Sequence, residues 1–535
     1  MSVGSADFAA VATGYAFGWT TDGEYVIVPT DPVRPQVAEP LAAGVYDWMD
    51  LLDQGGVSLY GRAQVVYDMA KAHARKVARF AEPVRVATRV YQYSGADGEP
   101  RVLVDLGDRH VGKMVHISPL GWLVYDPRDE GGPFEAAPLW HRDPAFQPLP
   151  EPGRPDGVAP GEAKAWFRDV LALDDRDWHL TWLWLMSTYF PHWTQQGLMF
   201  VATTQMGKSL RSSMLLRFLH PADPDLGGIG GDFPTTERAW GSLMHQSPIL
   251  AFDDVESISP SQHQAMKQVI TGASFRTQKL YETRGTTTTA GKRPLLITAS
   301  GTPAGFRDDL RNRIWTVSPT RPPLGDRLNQ QFEAWAPAIF ADLLDDVVTA
   351  LRGLPRALDV MDALLASGEP VRPREIRALA RSLDLATGGS YEESMLAERR
   401  DTLQAAAEED RFARVVYEFV KQRPEGGELS NDALLQALRD VAEDLYGLDS
   451  AALDRAQWFP SDTGRMGSWL GRKADSLGSV GVHFHVTRPG GRYRARRWDS
   501  LPDAPAPEAP ERPDFHMDLN TSTGPLAGPT LKETA

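Results

Sequence analysis

The most constraining feature of the chain is the stretch at 200–209, which reads FVATTQMGKS. An apolar run, Gly197–Val201, leads into it, and a helix-forming segment at 210–219 follows it. A buried strand, a loop ending in Gly-Lys-Ser and a helix form the pattern of a phosphate-binding loop, because the glycine lets backbone amides turn toward phosphate oxygens. The pattern predicts an α/β nucleotide-binding core, although a polar strand-to-helix loop would fit the stretch taken alone.

Each position of this loop has an expected role. Lys208 is expected to reach the terminal phosphate of bound ATP, and the Ser209 hydroxyl is expected to bind Mg²⁺. The residues expected to surround the nucleotide are Thr203, Thr204, Gln205, Met206, Gly207, Lys208, Ser209 and Leu210. The loop departs from the usual pattern at Ala202, where a first glycine is expected. A methyl group is tolerated there if the residue does not need a positive φ.

A second motif lies at 247–256, a short apolar strand that ends in Asp253 and Asp254. The carboxyl end of a buried parallel strand is where a nucleotide-hydrolysing site places such groups. We expect Asp253 to contribute to the ligand sphere of Mg²⁺ and Asp254 to polarise the attacking water. An isolated pair of aspartates usually marks an Asx turn, but two motifs in this order make that alternative a poor one.

Composition limits the class of protein. At 535 residues the chain is too long for one core, so roughly three or four units are expected. It contains no cysteine, which excludes disulfides and thiolate metal sites and fits a reducing compartment. A net charge of −15 speaks against a protein coated in nucleic acid but allows local basic surfaces. No signal-peptide pattern or membrane-spanning run is visible, so a cytoplasmic protein without a membrane partner is expected.

Apolar periodicity and proline-rich stretches divide the chain into segments. The segments are an N-terminal accessory α/β domain at 1–155, a helical collar at 156–196, a P-loop core at 197–322, a helical region at 323–422, a winged-helix-like domain at 423–500 and a disordered tail at 501–535. Alternating apolar residues at 101–106, 111–117 and 119–125 predict an antiparallel meander in the accessory domain.

The residues after the two carboxylates narrow the choice of family. Lys267, Gly272, Arg276 and Lys279 follow in order, and an apolar strand at 295–297 then ends in Thr298 and Ser300. This segment resembles the superfamily-three helicases and the related poxvirus-type primase-helicase ATPases, a branch of the AAA+ class. The family usually places an asparagine after this strand to sense the γ-phosphate. A hydroxyl, with Thr298 the first candidate, would take that role here.

Two further regions, at 102–126 with 146–157 and at 458–486, resemble parts of ATP-binding proteins of actinobacterial phages and integrative elements. The segment at 308–314 resembles the arginine-finger region of the helicase family. Arg313 is the first candidate for the finger and Arg311 the second, while an ion pair with Asp308 or Asp309 is the alternative for either. A finger acts on the nucleotide of a neighbouring subunit, so the resemblance implies a homo-oligomeric ring, with a hexamer as the expected size.

The resemblance also implies a β-hairpin that grips nucleic acid in the channel of the ring. We expect strands at 275–281 and 292–297 and a tip at 282–291. Lys279, Arg284 and Lys292 are then candidates for phosphate contacts that do not read sequence. A solvated polar turn is the alternative.

The C-terminal domain carries a second set of basic residues. A recognition-type helix is expected at 463–477, with wing strands at 482–486 and 493–498. Arg492, Arg494, Arg496 and Arg497 are the candidates for DNA contacts near that wing. A structural arginine-rich hairpin is the alternative.

Together these features predict an ATP-dependent, DNA-translocating motor of a phage or mobile element, acting on single-stranded or forked DNA. The alternative is a regulatory ATPase switch that assembles on DNA without unwinding it. Ala202 and the missing asparagine favour the switch, whereas the hairpin favours the motor.

Overall fold

The computed structural model describes residues 14–20, 25–31, 33–40, 63–79, 82, 86–108, 110–128, 138–142, 147–221, 233–278, 286–322, 327–367, 371–456, 458–487 and 495–499. The chain divides into two compact units, Met1–Ala406 and Ala407–Ala535. This is fewer than the length suggests, because several of the expected segments share one core. No helix among the described residues is long and apolar enough to cross a membrane. The tail expected at 501–535 lies outside the described residues.

The accessory region is mostly β. Its elements are β1 Tyr15–Trp19, β2 Tyr25–Pro29, β3 Glu39–Pro40, α1 Ala63–Val77, β4 Val86–Ala87, β5 Val90–Ser94, β6 Pro100–Asp105, β7 Met114–Ser118, β8 Gly121–Tyr125 and β9 Leu139–Trp140. Strands β6 to β8 form the antiparallel meander that the alternating pattern predicts, and β5 adds a fourth strand to it. Val102, Val104, Val115 and Ile117 lie on one face and are fully buried in the main core.

The central region contains a parallel sheet with helices around it. Its elements are α2 Glu162–Leu171, α3 Asp175–Ser187, β10 Gly197–Val201, α4 Lys208–Leu216, α5 Glu237–Gln246, β11 Leu250–Phe252, α6 Pro260–Thr271, β12 Ala273–Gln278, β13 Thr286–Gly291, β14 Leu295–Ala299, α7 Asp308–Arg311 and β15 Ile314–Val317. The sheet has the order β11-β14-β10-β15, and all of its pairs are parallel.

Both faces of this sheet are buried, which explains the continuous apolar runs of its strands. Side chains alternate between faces along a strand, so Leu198 and Phe200 of β10 belong to the main core while Met199 belongs to a second one. The main core also takes in the meander, α2 and α3. The second core lies against α5 and α6. The strands are therefore held rigidly from two sides.

After the sheet, the described part of the chain continues with three further helices, the last of which extends past the end of the first unit at Ala406. They are α8 Leu328–Ala366, α9 Arg374–Thr387 and α10 Tyr391–Glu409. Asp342 of α8 is buried and accepts hydrogen bonds from the backbone amides of Gly161 and Lys164, both at 2.9 Å, at the start of α2. It also pairs with Arg154. Because α2 has no side-chain cap of its own, the carboxylate from α8 satisfies its first amides and joins the collar to the helical region.

The second unit combines helices with a small sheet. Its elements are α11 Arg411–Lys421, β16 Gly427–Ser430, α12 Asn431–Tyr446, α13 Ser450–Arg455, α14 Thr463–Arg472, α15 Ala474–Ser479, β17 Phe484–Thr487 and β18 Ala495–Trp498. The sheet is antiparallel with the order β16-β18-β17. The expected single helix at 463–477 is broken at Lys473, whose backbone (φ −102°, ψ 9°) leaves the helical region. Helix α11 belongs to this unit and not to the preceding helical region, since the unit begins at Ala407.

The hairpin differs from the one expected. Strand β12 pairs with β13 in antiparallel register from Ala273↔Gly291 to Gln278↔Thr286. The return strand is therefore Thr286–Gly291, which begins with four β-branched threonines, and not 292–297. The strand Leu295–Ala299 instead belongs to the parallel sheet. Lys279 and Arg284 lie outside the described residues.

The assignment of α11 to the second unit can be tested with fragments. A fragment that starts at Ala407 should fold alone, whereas one that starts at Arg423 should not, because it lacks the part of the core that α11 supplies. The large α11 side chains in this core, each at most 1% exposed, are Phe412, Val415, Val416, Phe419 and Val420. Burying them is worth about 7–15 kcal/mol, as much as the total stability of a typical domain. Thermal unfolding followed by circular dichroism should be cooperative only for the longer fragment, and cooperative unfolding of both would refute the assignment.

Candidate functional site

The predicted site residues meet at one edge of the parallel sheet. The loop at 202–207 follows β10, Asp253 and Asp254 follow β11, and Thr298 and Ser300 lie at the end of β14. Strand β14 lies between the other two. The carboxyl ends of neighbouring parallel strands share an edge, so these groups converge although they are far apart in sequence.

Asp253 joins the three strand ends. The Ser209 hydroxyl donates to its carboxylate at 2.9 Å, and the buried Thr298 hydroxyl donates to Oδ1 at 2.5 Å. The same Thr298 oxygen accepts the backbone N–H of Asp254 at 2.8 Å. Each hydrogen bond fixes the direction of the next, so the loop, the carboxylates and β14 form one connected network.

Asp254 has a constrained backbone and an exposed side chain. Its φ is 49°, in the left-handed region that few non-glycine residues adopt, although aspartate and asparagine tolerate it best. Besides the backbone bond to Thr298, its Oδ1 accepts a hydrogen bond from the Ser300 hydroxyl at 3.2 Å. The hydroxyls of Thr298, in β14, and of Ser300, directly after it, thus both contact the carboxylate pair, Thr298 at Asp253 and Ser300 at Asp254.

Lys208 begins α4 and is nearly buried within the loop. Its ammonium donates to the carbonyl of Ala202 at 2.7 Å and lies 3.4 Å from the Ser300 hydroxyl. Helix α4 starts after Gly207 without a side-chain cap, so its first amides are available to an anion. The ammonium and these amides are the groups that a phosphate-binding loop requires.

The loop reaches its shape without the missing glycine. Ala202 does not adopt a positive φ, whereas Gln205 (φ 69°) and Gly207 (φ 71°) both do. The alanine is therefore accommodated as the sequence interpretation requires. Left-handed residues turn successive amides toward a common centre and create an anion-binding concavity. The backbone strain lies at Gln205, which the sequence places near the nucleotide but does not mark as strained.

The oxygens of Ser209 and Asp253 suit Mg²⁺. Both are hard ligands, and two neighbouring ligands of an octahedral ion lie about 3 Å apart when each is about 2.1 Å from it. The Ser209 Oγ to Asp253 Oδ1 distance of 2.9 Å matches that spacing. Among the described residues, no group of three or more His, Asp or Glu side chains could hold a metal by itself. Phosphate oxygens and water would have to complete the coordination.

The arginine-finger candidates lie in and just after α7. Arg313 Nη1 donates to the backbone carbonyl of Asp309 at 3.1 Å, and Arg311 Nε donates to the carbonyl of Phe306 at 3.2 Å. The Asp309 carboxylate is instead 2.5 Å from Lys267 Nζ of α6. Burial raises the pKa of Asp309, but the hydrogen bond from Lys267 and the nearby positive charges together lower it by more, so the net shift is downward. Lys267 thus fastens α7 to α6.

The basic residues of the hairpin are only partly described. Lys292 lies just after β13, and its ammonium donates to the carbonyl of His192 at 2.7 Å. The next residue, Arg293, is partly buried and donates to the carbonyls of Ser247 and Met244 at the end of α5. Arg293 therefore anchors the base of the hairpin, a role that its position before an apolar strand did not reveal.

The two described wing arginines lie on opposite faces of β18, because neighbouring residues of a strand alternate. Arg496 Nη2 donates to the carbonyl of Gly467 on α14 at 3.3 Å. Arg497 lies opposite Glu428 and His485 of the adjacent strands. These two arginines do not form one surface. Arg492 and Arg494 lie outside the part of the chain that the structure describes.

Comparisons with known proteins give only distant similarity. No family model matches the chain, and no curated protein matches it. Among solved structures, the chain is similar to one titled "SCCmec type IV Cch - active helicase", at 11% identity over 91% of this chain and 93% of that one, with a TM-score of 0.45. It is also similar to the apo C-terminal region of NrS-1, at 11% identity over 94% and 100% of the two chains, with a TM-score of 0.37. Both scores are below 0.5 and carry no functional argument.

The strain at Gln205 leads to a prediction about stability. Gln205→Gly should leave the free energy of unfolding within about 0.5 kcal/mol of wild type, because relief of left-handed strain offsets the greater freedom of glycine in the unfolded chain. Gln205→Val should destabilise by about 1–3 kcal/mol, since a β-branched residue tolerates this φ poorly.

The control is Gln264→Gly, at an exposed position within α6, which should cost about 1 kcal/mol. Denaturant unfolding of the three variants provides the measurement. Equal losses for the two glycine variants would contradict a strained Gln205.

Proposed function

We propose that this chain is a Mg²⁺-dependent ATP hydrolase that uses ATP turnover to move on DNA. The main support for ATP hydrolysis is a hydrogen-bond network. In it, Ser209, Asp253 and Thr298 link the glycine-lysine-serine loop to the paired carboxylates. A loop that offers amides and an ammonium, next to two carboxylates at the end of a parallel strand, provides the positions that phosphoryl transfer to water needs.

The proposed role of each site residue follows from its chemical type. Lys208 and the first amides of α4 would bind the phosphates, and Ser209 with Asp253 would hold Mg²⁺. When bound, the ion neutralises charge on the phosphate oxygens. Asp254 is exposed and its backbone is fixed by Thr298, so it would orient a water molecule and accept its proton. Ser300 would sense the phosphate, because its hydroxyl lies between Lys208 and Asp254.

Movement on DNA is proposed from the placement of the hairpin. The hairpin joins α6 to β14, the strand that carries Thr298 and Ser300 at its other end. A change at the phosphate therefore has a short, rigid path to the hairpin base. The second unit begins with a helix and a strand, continues through four helices and ends in two strands. Without the short helices α13 and α15, this is the element order of a winged helix, a fold that often binds duplex DNA. Arg313, or Arg311, would act on the ATP of a neighbouring subunit in a ring.

Substitutions of the two motifs test the hydrolase. Lys208→Ala should abolish turnover, because the phosphates lose their cationic partner. Asp254→Asn should retain ATP binding and slow hydrolysis by about 10²–10⁴-fold, since asparagine tolerates the left-handed backbone but cannot accept the proton. Phosphate release and binding of a fluorescent ATP analogue are the measurements.

The matched control is Glu256→Gln, which neutralises an exposed carboxylate two residues further along and should leave turnover unchanged. Normal hydrolysis by Lys208→Ala or by Asp254→Asn would show that the site has been assigned wrongly.

DNA dependence tests the motor. The rate of ATP hydrolysis by the full chain should rise at least several-fold with single-stranded DNA and fall again as salt increases, because phosphate contacts release counterions. A strand-separation assay on a forked duplex should depend on the same Lys208. A rate of ATP hydrolysis that does not change when single-stranded DNA is added would instead favour a regulatory switch.

A further inference from the structure

A buried arginine lies behind the phosphate-binding loop. Arg211 of α4 is only 1% exposed. Its guanidinium donates to three backbone carbonyls, those of Leu171 (2.6 Å), Arg321 (2.8 Å) and Met206. The Met206 carbonyl belongs to the loop itself.

Arg211 has no carboxylate partner among the residues that the structure describes, and burying a charge in this way is costly. Desolvation, with a smaller contribution from nearby Arg321, lowers the pKa of Arg211 to about 10, so the side chain still carries its charge at neutral pH. Hydrogen bonds from a charged donor to carbonyls are stronger than neutral ones and offset part of this cost. A methionine or leucine would fill the same space without the cost of burying a charge. What arginine alone provides here is a set of directed hydrogen-bond donors.

The contact with Met206 determines the direction of an amide. In a trans peptide the carbonyl and the following N–H point in opposite directions. Since Arg211 holds the Met206 carbonyl toward the buried side, the N–H of Gly207 is directed to the other side of the loop. Gly207, whose φ of 71° lies in the left-handed region, follows this peptide directly, and the freedom of its backbone would otherwise allow the peptide to rotate.

The other two carbonyls fix Arg211 to parts of the chain that are themselves held in place. Leu171 is the last residue of α2, where helix carbonyls lack intrahelical partners, and its side chain is fully buried. Arg321 follows β15, and its own guanidinium donates to the Asp169 carboxylate at 2.7 Å. The adjacent Thr320 donates to the Ala172 carbonyl at 2.8 Å. Arg211 therefore braces the loop against the main core.

We propose that Arg211 is a positioning residue of the phosphate-binding loop, which orients the Gly207 amide toward the β-phosphate of a bound nucleotide. It acts through the Met206 carbonyl and does not touch the nucleotide. This inference rests on the proposed nucleotide site. Loss of the Arg211 guanidinium should weaken phosphate binding much more than it slows the chemical step. The reason is that Asp253, Asp254 and Thr298 keep their own hydrogen bonds.

The experiment compares Arg211→Met and Arg211→Lys with Arg89→Met in the full chain. Methionine keeps much of the apolar volume and removes all donors, whereas lysine keeps the charge and a donor. Arg89 is a matched control, since it is also fully buried and donates to two backbone carbonyls, those of Asp105 and Gln147, in the accessory region. Isothermal titration with ADP gives the affinity. The rise in unfolding temperature caused by ADP gives a second measure by mass action.

Wild type and Arg89→Met should bind ADP equally, even though Arg89→Met is less stable. Arg211→Met should bind ADP about 10–100-fold more weakly than wild type, because the contact between the Gly207 amide and the charged phosphate is lost or misdirected. The ADP affinity of Arg211→Lys should lie between those of wild type and Arg211→Met. In steady state, Arg211→Lys should show a raised KM for ATP and a kcat within about threefold of wild type, the pattern of lost ground-state binding.

The possible failures are distinguishable. If wild type does not bind ADP, the proposed function is wrong. If wild type binds ADP and both Arg211 variants bind equally well, Arg211 does not position the loop. A loss of affinity in Arg89→Met as large as in the Arg211 variants would show a general effect of buried arginines and would also overturn the proposal. If Arg211→Met does not fold, Arg211→Lys decides alone, by its KM and its ADP affinity.

Discussion

The hydrogen bonds to Asp253 are the constraint on which the rest of the site depends. Ser209 and Thr298 reach this carboxylate from two different strand ends, so it connects the loop after β10, the carboxylates after β11 and the end of β14. Hydroxyl and carboxylate oxygens at hydrogen-bonding distance are arranged in the spacing that an octahedral cation requires. The same contacts that organise the site without a ligand are therefore those that would coordinate Mg²⁺ with it.

Such a network needs strand ends that do not shift, and the packing on both faces of the sheet holds them in place. The parallel sheet is covered on both faces by separate cores, so its strands cannot slide without disturbing two packed layers. Polar contacts reinforce the packing. Asp342 caps α2 from α8, Lys267 joins α6 to α7 through Asp309, and Arg211 connects the loop to the end of α2.

One strand relates the candidate site to the hairpin. β14 begins just after Arg293, which is fixed to the end of α5, and ends with Thr298 and Ser300 at the carboxylates. A parallel strand is stiff along its length, so a rearrangement of the hydroxyls at one end has a direct mechanical connection to the hairpin base at the other. This connection is the physical basis for proposing that nucleotide turnover drives movement.

The sequence alone determined the elements whose signals are local. Three such elements are the loop with Lys208 and Ser209, the carboxylates at the end of an apolar strand, and the meander. They follow from residue types and hydrophobic period, which a short stretch of sequence contains by itself.

The tertiary structure decided what depends on distant partners. It placed the return strand of the hairpin at Thr286–Gly291 through pairing with β12, and it assigned α11 to the second unit through core packing. It separated Arg496 from Arg497, and it gave Arg211 and Arg293 backbone carbonyls as partners. A single charged residue in a sequence carries no sign of the carbonyl that will satisfy it, because that partner comes from another part of the chain and is fixed only when the core has packed.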